Sequence, residues 1–207
     1  MVAQKIIALI IALLAWLSVL SQLYLTPLNT IEYFSYFTSL SNSLVAVSLT
    51  LSVLAPSSGP GVFFSRLSVQ SAIALYITVV FLVYNIALRG IWILTGWEYF
   101  WDNMVHITIP VLYVAYWFFF RTRGVLQWTD SMRWMIFPFI YLAYCLARGA
   151  MVNWYPYPFL NAGKLGYPKA LLNSSITLVV FLAGGLLLIV VTRTFLSRFV
   201  LNHRDQK

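Results

Sequence analysis

Residues 67–88 read LSVQSAIALYITVVFLVYNIAL and contain no charged side chain. A helix needs roughly 20 consecutive apolar residues to cross the hydrocarbon core of a bilayer, and this run meets that length by itself. Two stretches of the same kind precede it, at about 6–24 and 34–54. Three follow, at about 101–120, 132–151 and 171–196. The last is longer than a span needs and is expected to continue past the membrane, since Arg193 and Arg198 fall within or after it. Turn-rich segments such as APSSGPG at 55–61 separate the runs. Backbone groups in hydrocarbon must find internal partners, so these runs are helices rather than open strands. The expected fold is therefore all-α: one polytopic transmembrane domain of six helices covering 1–207.

The composition agrees. Of 207 residues, 61% are hydrophobic, 17% aromatic and only 9% charged, with a mean hydropathy of +0.85. Ordinary globular chains are about 45–50% apolar and about 25% charged. A soluble enzyme, a nucleic-acid binder and a disordered tail are excluded. The net charge of +8 is first a topology signal. With the N-terminus inside, nine of the thirteen basic residues fall on inner segments: Lys5, Arg66, Arg121, Arg123, Arg133, Arg193, Arg198, Arg204 and Lys207. Arg89, Arg148, Lys164 and Lys169 fall outside. Both termini are thus expected to be cytoplasmic. Lys5 ahead of an apolar run could mark a signal peptide cleaved after Ser21, but the run is long enough to span and is read as the first helix.

The familiar soluble chemistries are missing. The single cysteine, Cys145, lies inside an apolar run and reads as a small core residue. No Cys/His cluster has metal-ligand spacing, and no Gly-rich phosphate loop, GxSxG or HExxH occurs. Neither a metal nor a cofactor is expected.

The alternating orientation turns the polar residues into a depth map. Thr38, Ser41 and Asn42 fall in the outer half of the second helix, Asp102, Asn103 and His106 in that of the fourth. With the helices starting at 34 and 101, Thr38 and His106 each lie roughly 6–8 Å in from the outer end. Asn85, Arg89 and Arg148 close the outer ends of the third and fifth helices, and Asn173, Ser174 and Ser175 open the sixth. The inner halves are nearly bare of such groups, so the polar residues converge toward the outer leaflet. Ionisable groups inside a bilayer mark functional sites by default.

Each candidate carries two readings. Asp102 precedes His106 by four residues, so the pair shares a helix face. The carboxylate can fix the imidazole tautomer for a general base, or the pair can simply hold helices together. Thr38 can present its hydroxyl to the site or bond back to the carbonyl four residues earlier. Asn42 can donate to an oxyanion or bridge helices. Arg148 can snorkel to headgroups, pair with Asp102 or Glu32, or meet a carboxylate or phosphate ligand. Pro110 and Pro138 kink their helices, and Gly184-Gly185 reads as close packing. The strip Trp154-Tyr155-Pro156-Tyr157-Pro158-Phe159, with Trp92, Trp97, Tyr99 and Trp101 on the same side, is an interfacial aromatic belt or a cap over a lipid entrance.

Three blocks resemble one family. They are Tyr36-Phe37-Thr38-Ser39-Leu40-Ser41-Asn42, then Asp102-Asn103-Met104-Val105-His106 followed by Pro110, then Arg148-Gly149 followed by Tyr155-Pro156-Tyr157-Pro158-Phe159-Leu160-Asn161. In this order, with six spans, they resemble the bacterial branch of the androgen-induced protein family. Animal members are intramembrane hydrolases of fatty acid esters of hydroxy fatty acids. The resemblance implies Thr38 as nucleophile and His106 as its histidine. The Ser-Asn pair after Thr38 and the aspartate before His106 follow the bacterial pattern rather than the animal one, so another acyl ester is an open substrate.

The expected function is an intramembrane lipid ester hydrolase in a bacterial cytoplasmic membrane, its site toward the outer leaflet. Thr38 and His106 would be catalytic, and Asn42, Ser41, Asp102, Asn103, Arg148, Asn85 and Tyr157 supporting. The partner is a membrane lipid or fatty acyl ester, not a nucleic acid. The alternatives are a non-catalytic lipid-binding protein and a small proton-linked transporter. The transporter is disfavoured by the lack of an inverted repeat.

Overall fold

The structure, a computed structural model, describes residues 2–91, 93–122 and 124–204, so Trp92, Arg123 and Lys207 lie outside it. Six helices are long and apolar enough to cross a membrane: α1 (Val2–Leu25), α2 (Phe37–Leu54), α3 (Leu67–Leu88), α4 (Gly96–Phe120), α5 (Trp128–Val152) and α6 (Tyr167–Arg204, apolar to Thr194). No strand occurs among the described residues. The apolar runs thus become helices as expected. The ends differ from the expectation: α2 begins three residues later than 34, and α4 five residues earlier than 101.

Helix association in lipid depends on close approach and polar cross-links, and both occur. Ala8, Ala12 and Ala15 on α1 are fully or almost fully buried, forming a small-residue stripe over which α1 packs along α2. Trp16 then donates its indole N–H to Thr50 (3.2 Å), and Tyr33 its hydroxyl to the Val19 carbonyl (2.9 Å). Outward-facing leucines and isoleucines such as Ile6, Leu13 and Leu20 remain exposed, the surface that lipid would cover. Cys145 is a buried core residue.

Two prolines and two π-helical turns shape the site. Pro138 has no N–H to return to Trp134; α5 turns at Met135, and the Trp134 carbonyl accepts the Tyr76 hydroxyl instead (2.8 Å). On α4, residues Met104–Thr108 form a π turn just before Pro110. Pro110 brings no donor back to that turn, and the Val105 carbonyl is taken by the Asn42 side-chain amide (3.0 Å). The last five residues of α3, Tyr84–Leu88, form the other π turn. Such turns shift a helix face by part of a turn and occur often at functional sites. Here one begins with Tyr84 and the other contains His106.

The segment between α1 and α2 dips into the bundle. Phe37, the first residue of α2, packs its ring against Tyr76, Phe137, Tyr141 and Phe181 at centroid distances of 6.1, 5.4, 5.0 and 5.3 Å. Tyr76 and Phe181 lie well inside their own spans, so α2 starts deep between the helices. His106 is ten residues from the start of α4, roughly 15 Å along it. Thr38 is one residue from the start of α2, roughly 1.5 Å along it, and the two side chains meet because α2 itself starts inside the bundle.

Candidate active site

Thr38 is the second residue of α2, and its position explains why its hydroxyl is available. Many helix hydroxyls in this protein bond back to the carbonyl four residues earlier, as Ser18, Ser43, Thr50 and Thr78 do. Residue 34 lies ahead of the helix, so Thr38 has no such helical carbonyl behind it. Its Oγ1 lies 3.3 Å from His106 Nε2 and 3.5 Å from the Tyr157 hydroxyl. The backbone N–H of Thr38, which has no intrahelical acceptor at this position, donates to the Tyr157 oxygen at 3.4 Å. The partial positive charge of the helix N-terminus is directed at the same spot.

The tautomer of His106 follows from its neighbours. Nδ1 faces two acceptors, the Asp102 backbone carbonyl at 2.9 Å and the Asp102 Oδ1 at 3.0 Å. An unprotonated nitrogen there would leave both without a donor, so Nδ1 carries the hydrogen and Nε2 of the neutral ring presents a lone pair to Thr38. Tyr84 holds the assembly from the other side. Its ring stacks on the imidazole (centroids 4.0 Å apart, planes within 9°), and its hydroxyl donates to Asp102 Oδ2 at 2.5 Å. The chain of contacts runs Tyr84, Asp102, His106, Thr38, Tyr157. This is the geometry of a nucleophile, a base and a base-orienting carboxylate.

Tyr157 belongs to the aromatic strip, which packs against the bundle through Trp154, Tyr155 and Tyr157. Gly149 makes the approach of the strip possible: a Cβ there would overlap the Tyr155 ring, with Cε1 2.0 Å away. Tyr157 is buried behind it, stacked on Phe159 (5.2 Å) and edge-on to Tyr36 (5.4 Å). Burial pushes its phenol up to about 12, against a smaller lowering by its bonds to Thr38. It therefore stays a neutral hydroxyl, able to donate, throughout the physiological range.

Two cavities meet at Thr38, which with Tyr84, Leu88 and Tyr157 lines both. The wider, about 410 Å³, also holds Gln22, Ser39, Glu98, Asp102 and His106 in its wall. The other is a narrow apolar crevice of about 40 Å³ among Val79, Val80, Leu142, Leu160 and Phe181.

The remaining sequence candidates do not reach either cavity. Asn42 is fully buried and donates both amide hydrogens, to the Thr38 carbonyl at 2.9 Å and to Val105, so it ties α2 to α4. The Ser41 hydroxyl is buried one turn from the site, without a partner. Asn103 donates to the Tyr99 carbonyl (2.7 Å), and Asn85 accepts from Arg89 (3.1 Å). Arg148 lies over the Trp154 ring at 4.5 Å with Nη1 buried and unpartnered. It makes no ion pair with Asp102 or Glu32, and Trp154 in turn packs on Tyr36 (5.8 Å). Among the described residues no group of three His, Cys, Asp or Glu stands together to hold a metal ion.

Tyr84 is the residue that sequence reasoning missed. Helical periodicity already places it inward, seven residues after Ile77 and four after Val80 on the buried face of α3, but a tyrosine at such a position reads as core. Glu98 and Gln22 were also missed, because the fourth helix was started after Glu98 and Gln22 was read only as part of the first apolar run.

The chain matches no family model, no curated protein and no solved structure. Fold and site together define a six-helix membrane-type protein whose bundle encloses a Thr–His–Asp arrangement.

Proposed function

We propose that this protein is an intramembrane lipid ester hydrolase that uses Thr38 as nucleophile and His106 as general base. The observation that carries this reading is the 3.3 Å approach of Thr38 Oγ1 to the lone-pair nitrogen of an imidazole anchored by Asp102. That distance is at the long end of hydrogen bonding, from which catalytic pairs tighten when substrate is seated. In the reaction, Nε2 takes the Thr38 proton as Oγ1 attacks the ester carbonyl. The developing oxyanion is met by the Tyr157 hydroxyl and the positive end of α2. His106 passes the proton to the departing alcohol oxygen, leaving an acyl-threonine. Water, deprotonated by the same nitrogen, then releases the fatty acid and restores Thr38. The apolar crevice, with room for about three waters, suits only the acyl carbons next to the ester, and the wider cavity suits the alcohol and the water. The motif resemblance to the androgen-induced family supports the same assignment. Purified protein in detergent is expected to hydrolyse long-chain acyl esters, with the acyl-enzyme recovered on the Thr38 peptide by mass spectrometry. A folded protein that turns over no ester would remove the reading.

Tyr157→Phe tests the oxyanion assignment. Losing one such donor typically costs about 10²–10³-fold in kcat, so a fall of about 10²-fold with little change in KM is expected. Unchanged kcat would assign Tyr157 to packing alone.

The topology belongs to the same proposal. The nine-to-four distribution of basic residues supports cytoplasmic termini in a bacterial cytoplasmic membrane, with the 153–166 connection and the mouth of the wide cavity on the outer side. Reporter fusions at Lys207 and within 160–166 should label opposite faces. Labelling on one face would overturn this orientation.

A further inference from the structure

The wide cavity has a charge character opposite to that of the chain. The protein has thirteen Lys and Arg against five Asp and Glu, yet two of the five acids, Glu98 and Asp102, line this cavity and no Lys or Arg does. Glu98 is in the first turn of α4, Asp102 one turn further and His106 one turn beyond that. Glu98 is exposed while Asp102 is buried, so acidic groups run from the mouth down to the site. Arg148 lies over the Trp154 ring and Arg89 donates to Asn85, and neither is in the cavity wall. The rest of the polar wall consists of uncharged groups such as Gln22, Thr26 and Ser39.

A leaving alcohol that carries a carboxylate finds no good place in this arrangement. In the wide cavity it meets Glu98 and Asp102 with no Lys or Arg in the wall. In the apolar crevice it loses its hydration without any partner, which is strongly unfavourable. An uncharged alcohol with further hydroxyls fares differently. It can donate to the Glu98 carboxylate and exchange hydrogen bonds with Gln22, Thr26 and Ser39, while the acyl carbons next to the ester face the crevice.

Resting on the hydrolase reading above, we propose that the substrate is a neutral fatty acyl ester of a hydroxyl-bearing alcohol, of the glyceride type, and that Glu98 selects against esters whose alcohol portion carries a carboxylate. The substrate class therefore departs from the carboxylate-terminated esters cleaved by the animal family that the motifs resemble.

The test compares a monoacylglycerol with an ester of the same acyl chain on a hydroxy acid, using the full-length protein in neutral detergent at low salt. Wild type should prefer the monoacylglycerol by about five- to tenfold in kcat/KM, the size of effect expected for one like charge at short range in a wet cavity. Added salt should shrink the ratio. Glu98→Gln should narrow it toward one, and Glu98→Arg should invert it. Equal or better turnover of the hydroxy-acid ester by wild type, or a ratio unchanged in Glu98→Gln, would overturn the proposal while leaving the hydrolase reading standing. Inert ether analogues of the two esters, bound to Thr38→Ala, give a second measure that does not depend on turnover. If no ester is hydrolysed but the neutral ether binds better in a Glu98-dependent way, the hydrolase reading fails and the charge preference survives. Equal binding of the two ethers would overturn the preference.

Discussion

Alanine at position 38 is expected to leave a folded protein with no measurable ester turnover. The change removes the attacking oxygen, and the arrangement around it offers no substitute. The nearest other hydroxyl, Tyr157, is held neutral by burial and is a donor rather than a nucleophile. Ser39 also lines the wide cavity, but no imidazole contact is formed by its hydroxyl. Removing a nucleophile from a triad-type site costs on the order of 10⁴-fold or more in kcat. Covalent capture by an acyl-threonine-forming probe should vanish with it. Stability should change little, because one intramembrane polar contact is worth roughly 0.6 kcal/mol on average and the methyl group lost leaves only a small void. Thr38→Ser, which keeps the oxygen, should keep both labelling and turnover. A folded Thr38→Ala protein with wild-type turnover would end the assignment.

The sequence made the frame of the fold legible for a simple physical reason. Twenty or so apolar residues without charge can be satisfied only as a spanning helix, and that rule needs no knowledge of neighbours. The ends of helices obey weaker rules. Phe34 to Tyr36 are as apolar as the start of a span, yet the chain there forms a capped turn at Asn29–Tyr33 before α2 begins. That offset decides what Thr38 can do, since it removes the backbone carbonyl that would otherwise occupy its hydroxyl.

Within the site, residues that interact along one helix could be paired by counting. Asp102 and His106 are four apart and do meet. Counting from the expected helix ends matches Thr38 to His106, yet the ends lie elsewhere, and the two meet because α2 starts inside the bundle. Tyr84 shows a different limit: its spacing from Ile77 and Val80 puts it on the buried face of α3, but a buried tyrosine reads as core and nothing in the sequence marks Asp102 as its partner. Arg148 illustrates the opposite failure. A guanidinium near an ionisable cluster suggests a charge partner, but Trp154, six residues later, takes it into a cation–π contact instead.

The second large effect concerns the base. His106→Ala should lower kcat by about 10²–10⁴-fold, the usual contribution of a positioned general base, because a neutral threonine hydroxyl is a poor nucleophile without one. Asp102→Ala should cost much less, about tenfold. In many triads the carboxylate alone fixes the tautomer, and its loss is severe. Here Nδ1 has a second acceptor, the Asp102 backbone carbonyl at 2.9 Å, which alanine retains. That carbonyl keeps the hydrogen on Nδ1 and the lone pair on Nε2 even without the carboxylate. What disappears is the charge that stabilises the imidazolium during the attack, together with the acceptor for the Tyr84 hydroxyl. The ordering is therefore diagnostic: His106→Ala far below Asp102→Ala, and both measured on protein shown to be folded by thermal unfolding in detergent. Equal losses in the two variants would mean that the backbone carbonyl does not hold the ring, and an active His106→Ala would leave Thr38 without a base.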